Sequence, residues 1–154
     1  MASRVPDHGK LTPWRFIVFE GDARTKASRI IGDAFRERRP DATSDQVAVE
    51  SARLARAPLV IAVVSRAAPH VKIPEWEQIM LAGASATSLV MAAHAIGYAA
   101  NWLTEWYAYD RKVLDALGLA PTERIAGFVH IGRATKPPED RPRPPLNEIV
   151  TRFS

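Results

Sequence analysis

The stretch IMLAGASATSLVMAAHAIGYAA, running from Ile79 to Ala100, contains no Asp, Glu, Lys or Arg. It is long enough to cross a hydrocarbon layer of about 30 Å, yet it consists mostly of Ala, Gly, Ser and Thr and includes His94. That composition suits a helix buried among protein neighbours better than one facing lipid, because a helix without a charged face needs cover on every side. The pattern predicts a long buried central helix from about Glu75 to Ile96, stopped by Gly97 in the position that favours a left-handed backbone. Its small residues would let other elements approach closely.

Outward from that helix, the chain alternates elements of both kinds. Upstream, residues 59–64 form a continuous apolar run after Pro58, the pattern of a strand buried on both faces. Residues 14–19 form a β-branched and aromatic run after Pro13, a second strand whose start the proline marks. Between them, residues 23–38 place Ala27, Ile30, Ile31, Ala34 and Phe35 on one helical face. Thr43 and Gln46 fit a capping box for a weaker helix reaching about Arg56. Downstream, residues 99–106 read as a strand or extended loop, Asp110 as the cap of a short helix ending at Gly118, and residues 125–131 as the last strand. Five prolines within 136–145 forbid regular structure, so 136–154 is predicted to be an extended arm carrying Leu146, Ile149, Val150 and Phe153. The helices are too few and too irregularly spaced for a doubly wound nucleotide fold, which leaves an α+β layered domain.

The chain's 154 residues and 17.0 kDa fit a single domain over 1–154. The absence of cysteine excludes a disulfide framework, a thiolate metal site and a cysteine nucleophile. A net charge of +4 is a mild basic excess that favours anionic ligands without naming one. The first residues show no apolar core of a secretory signal, and with the helix at 79–100 assigned to the interior the expectation is a cytoplasmic protein without a membrane span. No glycine-rich dinucleotide fingerprint, phosphate loop or His-Glu-x-x-His occurs. Residues 83–87 approach a nucleophile elbow but lack its last glycine and fall inside a helix. His8, His70, His94 and His130 lack metal-ligand spacing, so no metal is expected. Arg36, Arg38 and Arg39 are interrupted by Asp33, Glu37 and Asp41, a solvated helix face instead of a nucleic-acid footprint. Trp102 and Trp106 suit either a core or a platform for a planar cofactor.

The densest polar segment, 4–16, reads Arg-Val-Pro-Asp-His-Gly-Lys-Leu-Thr-Pro-Trp-Arg-Phe. Polar loop residues held against a strand can be aimed at an anion or a planar polar ligand. The segment resembles the nitroreductase family, in which Arg-x-Pro, polar residues and then Pro-Trp-x-Phe build part of an FMN site. Asp7-His8 makes it most similar to the small bacterial NAD(P)H nitroreductase subgroup. The resemblance continues in order through Arg56-Ala57-Pro58-Leu59-Val60-Ile61, His70 to Gln78, Ala82-Gly83, Ala92 to Gly97, Trp102-Leu103-Thr104 and Ile125 to Gly132. It implies a three-layer sandwich with a mixed, mainly antiparallel sheet.

It also implies roles. Arg4 and His8 would contact FMN, Trp102, Leu103 and Thr104 would line it from the other side, and Ala92, Ala93, His94, Ala95, Ile96 and Gly97 would lie at nicotinamide contacts. Because the flavin carries the chemistry, no catalytic side chain is expected. The implied activity is ping-pong transfer from NAD(P)H through flavin N5 to a nitroaromatic, quinone or related small-molecule acceptor. The implied assembly is a homodimer with exchanged C-terminal arms. The family's Arg-Arg-Ser phosphate motif, which belongs ahead of Arg4, is missing from this sequence. The expectation is therefore a segment upstream of Met1 or a short form, with Arg141 and Arg143 near a phosphate-binding Lys and Arg of more distant members. The alternative is a non-catalytic, flavin-poor dimer acting as a binding module.

Overall fold

A computed structural model describes residues 1–137 and 139–153. Four strands form one sheet: β1 (Trp14–Glu20), β2 (Leu59–Ser65), β3 (Ala99–Leu103) and β4 (Arg124–Gly132), in the order β1-β2-β4-β3. All three pairings are antiparallel, so the expected mixed sheet is wholly antiparallel among the described residues. A register shift between Val63 and Val64 lets β2 bend against β4. β2 and β4 are central and nearly continuous in apolar residues, whereas β1 and β3 are edges.

Successive side chains of a strand point to opposite faces, and this sorts the core into two halves. On one face Phe19, Val60, Ala62, Val64 and Phe128 pack under α1 (Asp22–Arg38), α4 (Arg111–Ala116) and a 3-10 turn at Trp106–Ala108. Tyr107 and Phe128 meet with ring centroids 5.1 Å apart. On the other face Val63, Val129 and Ile131 pack under α3 (Glu75–Ala95). Helices therefore cover both sides of the sheet, the three-layer α+β arrangement.

The caps follow the sequence. Thr43 and Gln46 form the reciprocal capping box of α2 (Ser44–Ser51), which ends sooner than the sequence suggests and passes into a 3-10 turn at Arg53–Ala55. Asp110 accepts from the Val113 amide at 3.2 Å. Gly97, at φ 84°, ends α3: its N–H reaches His94 O and the Tyr98 N–H reaches Ala93 O, the paired bonds of a left-handed helix stop.

Two further expectations change. α3 has the predicted length but is not buried all round: Ala82, Ser85, Ala86 and Ala93 are buried, while Trp76 is 67% exposed and Met91 59%. The arm beyond 136 is not wholly irregular: after the prolines it makes one helical turn, α5 (Leu146–Ile149). Its apolar residues are all exposed, Phe153 completely.

Candidate functional site

β3 is the edge strand on which the sequence places Trp102 and Leu103, and its alternation separates them. Trp102 lies opposite Val129, on the α3 side. Its indole rests on Gly127, where a Cβ would come within 1.7 Å of Nε1, and that N–H donates to Ala126 O at 3.0 Å. Gly127 thus makes room for the ring. The indole forms one wall of a cleft of about 350 Å³ whose other sides include Glu75, Ile79, Gly83 and Arg124. Leu103 lies opposite Phe128, on the other face. Along the β3 edge it helps line a larger cleft of about 530 Å³ with Arg56, Pro58, Asn101, His130 and Arg133. Thr104 follows the strand and is exposed.

The larger cleft is basic. Its lining contains two arginines, a histidine and an asparagine but no Asp or Glu. Just behind it, Glu105 accepts from Arg53 at 2.6 Å, from Arg56 at 3.1 Å and from the Tyr107 hydroxyl at 2.9 Å. Arg53 also grips Glu50, which accepts from the Trp106 indole N–H at 2.7 Å. The hydrogen bond from Arg53 holds the Glu50 carboxyl below the usual carboxylate range. Burial, with the carboxylate of Glu105 beside it, raises the Tyr107 phenol and keeps it protonated. These bonds fix the chain immediately after Thr104 to the second helix and its following turn.

His130 has a different status. It is 7% exposed, and neither ring nitrogen has a hydrogen-bond partner among the described residues. Burial, helped by the Arg56 charge, lowers its pKa and keeps the imidazole neutral.

The remaining anticipated residues are spread along α3. Arg4 ends a short 3-10 turn and is exposed; the Ser85 hydroxyl of α3 donates to Ala2 O in that turn at 2.9 Å. His8 pairs through Nδ1 with Glu77 at 2.6 Å, by the helix start. Ala92, Ala93, His94 and Ala95 form its last turn, with Ile96 and Gly97 its stop, and His94 Nε2 accepts from the Ala100 amide at 3.2 Å. From Glu77 to His94 the helix axis rises about 25 Å at ~1.5 Å per residue. Within one chain, His8 is therefore not brought together with 92–97, while the turn of Arg4 packs against the middle of the helix.

The sequence reading missed Arg133, Asn101, Glu105 and His130 as neighbours of one cleft. They come from two strands and a turn, and only the β3–β4 register, with Asn101 opposite His130, unites them. The sole sequence signal is the absence of an acidic residue from 125–133 and 99–104. Among the described residues no cluster of His, Asp and Glu could hold a metal, and no helix is long and apolar enough to cross a membrane.

Comparison with known proteins agrees with this architecture. The family model described as "Nitroreductase family" matches residues 1–133. The protein named "Putative NAD(P)H nitroreductase YdjA" from Escherichia coli K12 is 36% identical over 131 residues, covering 84% of this chain and 69% of that protein. A relative of the same description from Haemophilus influenzae is 34% identical over 133 residues, covering 85% and 71%. Among solved structures, a nitroreductase-like family protein from Bacillus cereus superposes with a TM-score of 0.77 at 24% identity, covering 99% of this chain and 79% of that one. A structure from Desulfovibrio desulfuricans, solved in complex with FMN, does so with 0.73 at 22%, again covering 99% and 79%. The structures establish the shared fold, and the sequence matches establish kinship: this chain belongs to the nitroreductase family.

Proposed function

We propose that the chain is an FMN-dependent oxidoreductase that takes reducing equivalents from NAD(P)H and passes them, in two half-reactions, to a nitroaromatic, quinone or related small-molecule acceptor, working as a cytoplasmic homodimer. The observation that supports this most directly is the cleft of about 530 Å³ beside β3: it is basic, free of carboxylates in its lining, and walled by Leu103. A flavin mononucleotide is a planar ring system on a dianionic tail. Such a cleft next to an edge strand, whose outer backbone groups are unpaired, suits both parts. Bound there, FMN would supply N5 as the hydride-accepting atom.

The protein's share of the work is binding and orientation. Leu103 offers an apolar wall, Thr104 a polar group at the strand end, and Trp102 stiffens the strand from behind through its bond to Ala126. The Arg53–Glu105–Arg56 bridge holds the next residue in place, so the strand end is preorganised. The 92–97 turn would receive the nicotinamide. His8 would reach the same ligand only from a second copy whose α3 lies antiparallel, because each chain holds His8 and the 92–97 turn at opposite ends of that helix; Arg4, whose turn packs at mid-helix by Ser85, would come with it. The exposed Trp76, Met80 and Met91 along α3 are the apolar surface such a pairing would cover.

The test is the purified protein supplied with FMN. A yellow protein that oxidises NADH or NADPH in the presence of a nitroaromatic or quinone is the expected result. Failure to retain flavin together with no oxidation would leave the same fold as a dimeric binding module.

A further inference from the structure

The turn that leads into β1 is built against the preferences of its own residues. Gly9, Lys10 and Thr12 all hold a left-handed backbone, at φ 69°, 56° and 46°. Glycine takes that region freely, but a β-branched residue such as Thr12 is a true outlier there. Gly9 has no easy substitute, since a Cβ would come within 2.1 Å of Ile73 Cδ1. Backbone of this kind persists only where its surroundings over-determine it, and it collects at ligand sites. Here three side chains hold it. The Asp7 carboxylate accepts from the Thr12 amide at 3.0 Å and from its hydroxyl at 3.2 Å, Arg66 Nη2 donates to Thr12 O at 2.7 Å, and Glu77 accepts from His8 Nδ1 at 2.6 Å.

His8 is what this framework presents. Its side chain is 61% exposed, and Nε2 has no hydrogen-bond partner among the described residues. An ionised carboxylate can only accept, so Nδ1 carries the proton and Nε2 of the neutral ring keeps its lone pair. Without that bond either nitrogen could carry the proton. We infer that Glu77 is a positioning residue: it fixes the tautomer and direction of His8 so that Nε2 accepts a hydrogen bond from an N–H or O–H of the bound flavin. This rests on the functional reading above, in which His8 serves the flavin held by a second copy, and it gives a role to a residue of α3 that touches no ligand itself. Asp7 and Arg66 act on the backbone of the turn, and Glu77 acts on the ring.

Nitrogen-15 NMR of the flavin-free protein at pH 9, where imidazoles are neutral, reads the tautomer directly, with His8→Ala identifying the signal. The wild-type protein should show His8 protonated at Nδ1, Glu77→Ala a shift toward Nε2, and Glu77→Gln, whose carbonyl still accepts, most of the wild-type pattern. Fluorescence titration with FMN should show binding weakened by about 5- to 10-fold in Glu77→Ala and in His8→Ala. The double variant should lose no more than His8→Ala alone, because two residues acting through one contact are not additive. A loss shared by lumiflavin, which has no ribityl chain, upholds the inference and assigns the contact to the ring; a loss limited to FMN and riboflavin upholds it and assigns the contact to a ribityl hydroxyl. Losses that add in the double variant, no loss in Glu77→Ala, or a wild-type His8 protonated at Nε2 would overturn it. If the wild-type protein binds no flavin at all, the oxidoreductase reading falls on its own, and the NMR pattern decides whether Glu77 sets the ring of His8.

Discussion

The two faces of the sheet are built to different standards. The face under α1 and α4 is a closed core: Ile31, Leu54, Val60, Tyr107, Val113 and Phe128 are fully or almost fully buried, with aromatic rings meeting at its centre. The face under α3 is thinner, made of Val63, Ala86, Ala93, Val129 and Ile131, and its covering helix turns Trp76, Ile79, Met80 and Met91 to the outside. Both faces obey the same strand alternation, so the difference lies in what covers them. One is completed within the chain. The other has an apolar outer surface of the kind that a second protein surface ordinarily covers.

Core substitutions provide the strongest test of that contrast. Phe128→Ala should cost about 3–5 kcal/mol, because it opens a cavity among rings that cannot collapse into it. Its neighbour on the opposite face, Val129→Ala, should cost about 2 kcal/mol, since fewer atoms are lost and the layer is shallower. Urea unfolding of both variants checks this; equal losses would mean that the α3 face is as tightly built as the other.

A smaller effect is expected at Gly127, where the α3 face admits a large ring only because a Cβ is missing. Gly127→Ala should expel the Trp102 indole, break its bond to Ala126 O and destabilise by about 1–3 kcal/mol. A red shift of tryptophan emission at unchanged far-ultraviolet dichroism is the expected signature.

Electrostatics tests the other face. Glu123 accepts from Arg15 Nε at 2.7 Å, from Nη2 at 2.6 Å and from the Ala120 amide at 2.8 Å. The arginine hydrogen bonds hold this carboxyl below its usual value. A depressed carboxylate stabilises above its unfolded pKa of about 4.3, and the contribution is lost as pH falls through the folded value. Glu123→Gln should therefore cost about 1–2 kcal/mol at neutral pH, with the gap to the wild type closing below about pH 4. A gap that persists unchanged at acid pH would mean that shape, not charge, matters there.

The smallest change in the chain's own fold is expected from Met80→Glu with Met91→Glu, since both side chains already face outward. Their effect should appear in assembly instead. Light scattering should give twice 17.0 kDa for the wild-type protein at micromolar concentration and 17.0 kDa for the double variant. A wild-type protein already at 17.0 kDa would refute the second-copy completion of the α3 face.

Much of the fold was legible because it is locally encoded. The β-branched runs at 14–19 and 59–64, the Thr43–Gln46 box, the Asp110 cap and the Gly97 stop each depend on residues within one turn or one strand of each other. α2 ran short of its predicted end because the residues after Ser51 tighten into a 3-10 turn, where Arg53 and Arg56 reach Glu105, a partner far along the chain. The anticipated cofactor residues were legible as a set by resemblance, and alternation along a strand already separates Trp102 from Leu103, but no spacing in the sequence could tell which cleft each opens into. Strand pairing decided that.

The sequence by itself determined the elements, their caps, the absence of thiol chemistry and the uncharged run 79–100, since each follows from residue type and short-range periodicity. Tertiary structure alone decided which charges meet. It placed Arg133 and Asn101 over His130, put Arg53 and Arg56 on one carboxylate, and set His8 and the 92–97 turn at opposite ends of a helix. The physical reason is that hydrogen bonding and hydrophobic period act over a few residues, whereas the partner of a charge is whichever group the sheet register brings within about 4 Å.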